Sequence, residues 1–267
     1  YALDRQRPYY DARGPSDLED LLQRHDFHAA LLARARRLRE RLVALRLSKY
    51  NVGRSADLRA RLAPAGGRRV VLVAGQVEDD MAVWKGLPAV RTNAELLAAA
   101  RARHADAFIL YKPHPDVLAG LRRGHVAEEV ARRHADVVLD DVHPSDAIDA
   151  ADHVEVITSL IGFEALERGR SVTCHGLPFY AGWGLTEDLV PCPRRRRRLS
   201  LDELVAGALI LYPHYVDPHS YLPCTPEHLL DRLAAGRTVP ERRVRAPEAA
   251  CVLTAAALTR GWRRLTG

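Results

Sequence analysis

From Arg68 onward the chain alternates short aliphatic runs with longer stretches of helical spacing, and nothing else in its 267 residues constrains the fold as tightly. The runs "RRVVLVAG" (68–75), "AFILYK" (107–112), "VVL" (137–139), "VEVIT" (154–158) and "SVTCHG" (171–176) read as strands. Their apolar residues follow one another rather than alternating, as expected of strands covered on both faces. Between them, "TNAELLAAARARH" (92–104) opens on an N-capping Thr or Asn, and "VAEEVARRHA" (126–135), "SDAIDAA" (145–151) and "SLIGFEALERG" (159–169) continue the helical spacing. Strand–helix units of this length join parallel strands through right-handed crossovers. The prediction is an α/β fold, a Rossmann-like parallel sheet with flanking helices. Ligands of such sheets sit outside the carboxyl ends of the strands, so the residues that follow each strand are the functional candidates.

The flanks differ in character. Residues 16–47 read as helix, and "KYNVGRSAD" (49–57) and "APAGG" (63–67) as turns. Downstream, "LPFYAGWGLTEDLVPCPRRRRR" (177–198) reads as a long structured loop. Ser200 with Glu203 forms a capping box that opens a helix over 200–212, and 225–236 and 246–267 read as further helices. The expected organisation is a helical segment at 1–66, the α/β domain at 67–236 and an amphipathic tail at 237–267. A first residue of Tyr rather than Met suggests a piece of a longer protein.

Composition narrows the function. The four cysteines form no CxxC pair, which argues against a zinc finger or a disulfide framework and favours a reducing, cytoplasmic setting. There is no apolar run of membrane-spanning length. Of the 40 basic residues only Lys49, Lys85 and Lys112 are lysines, and the net charge is +6. Aromatic residues are 6% and do not interleave with the basic ones, so no nucleic-acid partner is expected. The run Arg194–Arg198 reads as a solvated charge run, or as a contact for an anionic acceptor or membrane surface. Arg260, Trp262, Arg263 and Arg264 in the last helix would suit the same surface.

Four strand ends carry polar or turn-forming residues. Lys112 and His114 flank a proline in "YKPHPDV" (111–117), a stiff turn that suits a phosphate and the charge it gains on departure. Ser159 starts a helix directly after a strand, where amides and a hydroxyl can seat a phosphate or merely cap the helix. Glu164, a turn further on, can accept two ribose hydroxyls; Glu167 reads as a solvated helical carboxylate. Glu78, Asp79 and Asp80 follow the first strand. A carboxylate there can act as nucleophile or base or hold a divalent metal, and spacing alone does not choose among the three.

The segments "GQVEDD" (75–80), "YKPHPDV" (111–117), "TSLIGFEAL" (158–166), "GLPFYAGWGLT" (176–186) and "RRLSLDELVAGALILYPHYVDP" (197–218), with "YYDARGPSDLEDLL" (9–22) and "LSKYN" (47–51), resemble the KpsC/LpsZ capsule polysaccharide proteins. The resemblance runs to about residue 235. It implies a retaining β-Kdo transferase that takes Kdo from CMP-β-Kdo to a lipid-linked Kdo acceptor. It also implies a GT-B-like module of which this chain holds the donor-binding half, with 1–66 as linker and remnant of the acceptor domain. "GQVEDD" looks like the wording of a second module. Carried over residue by residue, Asp80 is the nucleophile, His114 contacts the CMP phosphate and Lys112 supports the same charge. Ser159 binds phosphate, Glu164 the ribose, and Gln76 orients the acidic sugar. Ala82 stands where the family pattern leads one to expect Ser. No metal and no cofactor are expected, since Lys and His can neutralise a monophosphate. The implied setting is cytoplasmic and peripheral on the inner membrane, beside capsule assembly proteins. The alternative is a non-catalytic nucleotide-sugar-binding module supporting capsule assembly or export.

Overall fold

The computed structural model describes residues 1–49 and 58–235. The expected turn at 49–57, apart from Lys49, and the amphipathic tail at 237–267 lie outside the described residues.

Helices α1 (Asp17–Arg24), α2 (Ala29–Ala44) and α3 (Arg59–Leu62) come first. The alternation follows as β1 (Val70–Ala74), α4 (Met81–Lys85), α5 (Asn93–Arg103), β2 (Phe108–Lys112), α6 (Pro115–Leu118), α7 (Glu128–His134), β3 (Val137–Val138) and α8 (Pro144–Asp149). It continues with β4 (His153–Val156), α9 (Leu160–Glu167), β5 (Ser171–Cys174) and β6 (Glu187–Asp188). Then α10 (Leu201–Val205) runs on into a π-helical stretch, Ala206–Leu211. The antiparallel pair β7 (Tyr215–Val216) and β8 (Pro223–Cys224) and helix α11 (Pro226–Ala234) end the described chain.

Strands β1 to β6 form one sheet in the order β3-β2-β1-β4-β5-β6, every pair parallel. This is the Rossmann-like α/β fold. The chain winds outward from β1 through β2 to β3, then returns to β4 on the other side of β1. Crossovers therefore leave in opposite directions between β1 and β4, which opens a crevice at their carboxyl ends.

Each strand divides its residues between two cores, because successive side chains point to opposite faces. Leu72, Ala74, Phe108, Leu110, Val154, Val156, Val172 and Cys174 join one core. Residues of α1, α2, α8, α9 and α10 cover it, among them Leu22, Ala35, Ile148, Phe163 and Leu204. Val71, Val73, Ile109 and Tyr111 face the other way, against Leu96, Leu97 and Ala100 of α5 and Ala131 of α7. Leu18, Leu22, Leu31 and Ala35 thus share a core with the sheet rather than forming one of their own.

Several elements escaped the sequence pattern. Strand β6 is two acidic residues at the sheet edge, paired with Thr173 and Cys174, and offers no apolar run. Helices α4 and α6 have five and four residues, too few for periodicity to register. The arginine run is only in part a solvated face: Arg194, Arg196 and Arg198 are exposed, yet the run also makes tertiary contacts. Arg195 is 8% exposed and donates to Glu19 (3.0 Å) and to the carbonyls of Pro178 (2.7 Å) and Ala181 (2.6 Å). Arg194 reaches Glu19 at 2.8 Å and the Ala12 carbonyl at 2.9 Å, and Arg197 reaches the His25 carbonyl at 2.7 Å. The run stitches α1 and its flanks to the loop after β5, because a guanidinium can satisfy several buried acceptors at once.

Candidate functional site

The crevice is built around Gly75 and Gln76. The Gly75 amide donates to the Lys112 carbonyl at 2.8 Å, so the chain leaving β1 hugs the end of β2. A Cβ at Gly75 would lie 3.0 Å from Tyr111 Oη and 3.1 Å from the Lys112 carbonyl, which leaves no room for a side chain. Gln76, expected to orient a sugar, uses its amide otherwise. Its Nε2 donates to Thr158 Oγ1 at 2.8 Å, and its Oε1 accepts from the Thr158 amide at 3.1 Å. This reciprocal pair bolts β1 to the residue preceding Ser159 across the switch point. Asn93 supports it, accepting from the Gln76 amide (2.9 Å) and donating to the carbonyls of Gln76 and Gly124 (both 2.8 Å).

The structure gives the three carboxylates that spacing left open different partners. Glu78 accepts from the Asn93 amide at 2.8 Å, and Asp79 pairs with Arg122 at 3.0 Å. Asp80 caps α4, its Oδ1 accepting from the Ala82 amide at 2.8 Å. Ala82 therefore contributes its backbone, and the absence of a hydroxyl at that position does not disturb the carboxylate. Asp80 Oδ2 accepts no hydrogen bond from any described residue, and the group is partly exposed. Glu78 Oε2 and Asp79 Oδ2 are likewise without a hydrogen bond from any described residue, so what sets Asp80 apart is its place at the start of α4 rather than a free oxygen.

At the end of β2, His114 caps α6, with Nδ1 accepting from the Asp116 amide at 3.1 Å. Burial pushes its pKa down to about 4; Asp116 and Asp80 oppose that shift, while Lys49 and Arg122 add to it. The ring is therefore neutral near pH 7. With Nδ1 accepting, its proton sits on Nε2, which becomes a donor. Lys112 does not join His114. It is 6% exposed, its ammonium donates to the Val142 carbonyl at 2.5 Å, and burial lowers its pKa against the pull of Asp140 and Asp141. A second His–Pro cap stands beside it: His143 Nδ1 accepts from the Ser145 amide at 3.2 Å at the start of α8.

Ser159 caps α9, its Oγ accepting from the Ile161 amide at 3.3 Å. The Tyr180 hydroxyl donates to the Ser159 carbonyl, which fixes the cap from behind. Glu164 lies one turn inside. Its carboxylate accepts from Ser48 Oγ (2.8 Å) and the Lys49 amide (3.0 Å), and burial raises its pKa against these bonds. Glu167, read as solvated, is 8% exposed. Burial first and Glu164 second push its pKa up to about 8, and its Oε1 has no hydrogen-bond partner.

His114 and Glu164 both feel the charge of Lys49, which sequence reasoning passed over. Its charge acts on His114, on Glu164 and on the Tyr9 phenol, which Asp80 also faces. Gln76 and Ser159 stand at this edge as wall and helix start, and Lys112 turns away toward β3. One signal could have found Lys49: in a chain whose basic residues are nearly all arginine, each of its three lysines stands near this edge. Lys85 ends α4 behind Asp80, 3.9 Å from Asp11.

Comparison with known proteins accords with this architecture. The family described as Capsule polysaccharide biosynthesis protein matches residues 2–216. The chain belongs to this capsule polysaccharide biosynthesis family. Curated relatives include the capsule polysaccharide modification protein LipA of Neisseria meningitidis serogroup B, 47% identical over 213 residues, or 80% of this chain and 30% of that one. The lipopolysaccharide-processing protein LpsZ of Rhizobium meliloti is 44% identical over 216 residues, covering 80% and 49% of the two chains. The chain thus spans from under a third to about half the length of these relatives. Among solved structures, the KpsC β-Kdo 2,7 transferase of Thermosulfurimonas dismutans aligns with TM-score 0.75 and 38% identity over 89% of this chain and 73% of that one. The KpsC β-Kdo 2,4 transferase of the same organism gives 0.79 and 36% over 87% and 72%. Identity favours the first and superposition the second. Among the described residues no helix is long and apolar enough to cross a membrane.

Proposed function

We propose that this member of the capsule polysaccharide family is the donor-handling part of a retaining transferase that moves β-Kdo from CMP-β-Kdo to a lipid-linked Kdo acceptor. Asp80 attacks the anomeric carbon and CMP departs, leaving a Kdo–Asp80 ester. An acceptor hydroxyl then displaces the carboxylate, so that two inversions give net retention. His114 donates its Nε2–H to the leaving phosphate. The amides at the start of α9 and the Ser159 hydroxyl provide the anion seat. Glu164 takes the ribose hydroxyls once Ser48 and Lys49 yield it, and Lys49 offsets charge between phosphate and sugar carboxylate. Lys112 supports the His114 turn through Val142 rather than meeting the phosphate. The acceptor hydroxyl requires a second domain to position it, so residues 1–66 serve as the link to an acceptor domain. The protein acts at the cytoplasmic face of the inner membrane, beside capsule assembly proteins.

One observation carries this reading. His114 is a neutral imidazole whose Nδ1 is already engaged, set within electrostatic reach of both Asp80 and Lys49. Calorimetry with CMP, UMP and UDP tests it. CMP should bind in preference to both uridine nucleotides, and His114→Ala should weaken CMP by about tenfold or more, the loss of a charge-assisted hydrogen bond of about 1.5–3 kcal/mol. A preference for UDP, or an unchanged CMP affinity in His114→Ala, would contradict the reading.

A further inference from the structure

Behind the crevice, on the sheet face that α5 covers, three imidazoles from three segments meet one carboxylate. Glu155 of β4 has no solvent exposure. Its Oε1 lies 2.7 Å from His104 Nε2 and 3.4 Å from His153 Nε2, and its Oε2 lies 2.6 Å from His175 Nε2. His104 ends α5, His153 opens β4 and His175 follows β5. The proposed transfer uses none of them.

The partners of His153 bound where its protons can sit. Ser171 Oγ lies 3.2 Å from the Asp152 carbonyl and 2.7 Å from His153 Nδ1; when its proton goes to the carbonyl, it accepts from Nδ1. Thr173 Oγ1 donates to Glu187 at 2.9 Å, so it turns a lone pair toward His153 Nε2 at 3.0 Å. With its proton on Nδ1, a neutral His153 presents an Nε2 lone pair to two further acceptors, Thr173 Oγ1 and Glu155 Oε1. In that tautomer the nitrogen has room for a positive centre shared with Glu155. Arg103 does not supply it: its Nε is 3.5 Å from Glu155, and its Nη2 is engaged by Glu187 at 2.6 Å.

We propose that this cluster is a structural site for a divalent transition-metal ion of the zinc class, bound by His104 Nε2, His153 Nε2 and Glu155 Oε1. These three atoms lie within 4.8 Å of one another. Ligand atoms about 2.0–2.1 Å from a tetrahedral ion stand roughly 3.3 Å apart. The 3.4 Å between His153 and Glu155 already fits that spacing. The 2.7 Å between His104 and Glu155 must open, and His104, with 11% side-chain exposure, has the most freedom to swing. His175 holds the second carboxylate oxygen and Ser171 holds the back of His153, the outer contacts that orient metal ligands. Two imidazoles with one carboxylate favour zinc, cobalt or nickel over magnesium or calcium.

The test uses the whole chain, stripped with chelator and titrated with Zn²⁺ or Co²⁺. Uptake of one equivalent, a visible Co²⁺ ligand-field spectrum and a melting temperature that falls on chelation support the site. His104→Gln should lose the spectrum, and His175→Asn should weaken uptake roughly 10–100-fold. If Glu155→Gln does not fold, the partly exposed His104→Gln still decides. No uptake at micromolar metal, a melting temperature indifferent to chelator, or His104→Gln binding like the parent protein would overturn the proposal and leave the cluster as hydrogen bonds around Glu155 alone.

Discussion

Replacing Gln76 by Met tests whether this residue is a bolt in the sheet or a ligand contact. Met keeps the length and removes both ends of the pairing with Thr158. Gln76 and Thr158 are 7% and 8% exposed, so water cannot readily replace what is lost. The Thr158 amide, now 3.1 Å from Gln76 Oε1, would be left without an acceptor. An unsatisfied buried amide costs about 1–3 kcal/mol, and loss of the hydroxyl hydrogen bond adds about 0.5–1.5 kcal/mol. The expected total is about 2–4 kcal/mol. For a domain of this size that corresponds to a melting temperature lower by about 5–15 °C. Scanning fluorimetry and urea titration followed by circular dichroism read both quantities. Thr158→Val in the same background should add less than it does alone, since the two side chains form one unit. If Gln76→Met stays within about 0.5 kcal/mol of the parent while CMP affinity collapses, the bolt is wrong and the amide contacts ligand.

Glu167 gives a pH signature. Its folded pKa, raised to about 8, exceeds the ordinary carboxylate value, so the unfolded chain releases the proton first and stability falls as pH rises from about 4.5 to 8. Between pH 7 and 8 the loss is about 1 kcal/mol, and Glu167→Gln should flatten that part of the melting profile; parallel profiles would count against it. His114 has the opposite sign: its pKa, lowered to about 4, makes stability fall as pH drops from 6.5 toward 4, a decline that His114→Gln should reduce in acid denaturation. Arg195→Ala leaves Glu19 to Arg194 alone and removes the donor from the Ala181 carbonyl, and should cost about 1–3 kcal/mol in urea unfolding; a surface-like change below about 0.5 kcal/mol would refute the stitching role. Gly162→Ala ought to help a helix, yet its Cβ would collide with the Tyr180 hydroxyl and lie 2.9 Å from Tyr180 Cζ, a fully buried side chain. A net loss of about 1–3 kcal/mol is expected in thermal melts, and a gain would mean that Tyr180 can move.

The parallel sheet was legible because buried parallel strands such as "VVLVA" and "FILYK" carry apolar residues at every position. The Ser200–Glu203 capping box was equally readable, as a local exchange between a hydroxyl and a carboxylate three residues on, and the cap left between Thr92 and Asn93 is Thr92, in a second such box with Glu95. Strand β6 was not, since two acidic residues owe their extended form to pairing with β5. The same division runs through the site. That Asp80, His114, Ser159 and Glu164 follow the strands β1, β2 and β4 at one edge of the sheet follows from the alternation. What each polar atom touches does not. Gln76 and Thr158 are 82 residues apart, and Ser48 and Glu164 are 116 apart, so no local pattern records either pairing. Glu167 and Arg195 misled the reading because isolated charges are usually solvated, and only tertiary packing buried these two.

The central claim is that Asp80 supplies the carboxylate on which the sugar is held between its two displacements. The direct measurement is Asp80→Asn in an intact full-length enzyme, with Kdo transfer and CMP affinity followed in parallel. The account predicts that transfer falls by about three orders of magnitude or more while CMP binds as before. Transfer that persists in Asp80→Asn, or CMP binding lost together with transfer, would contradict it.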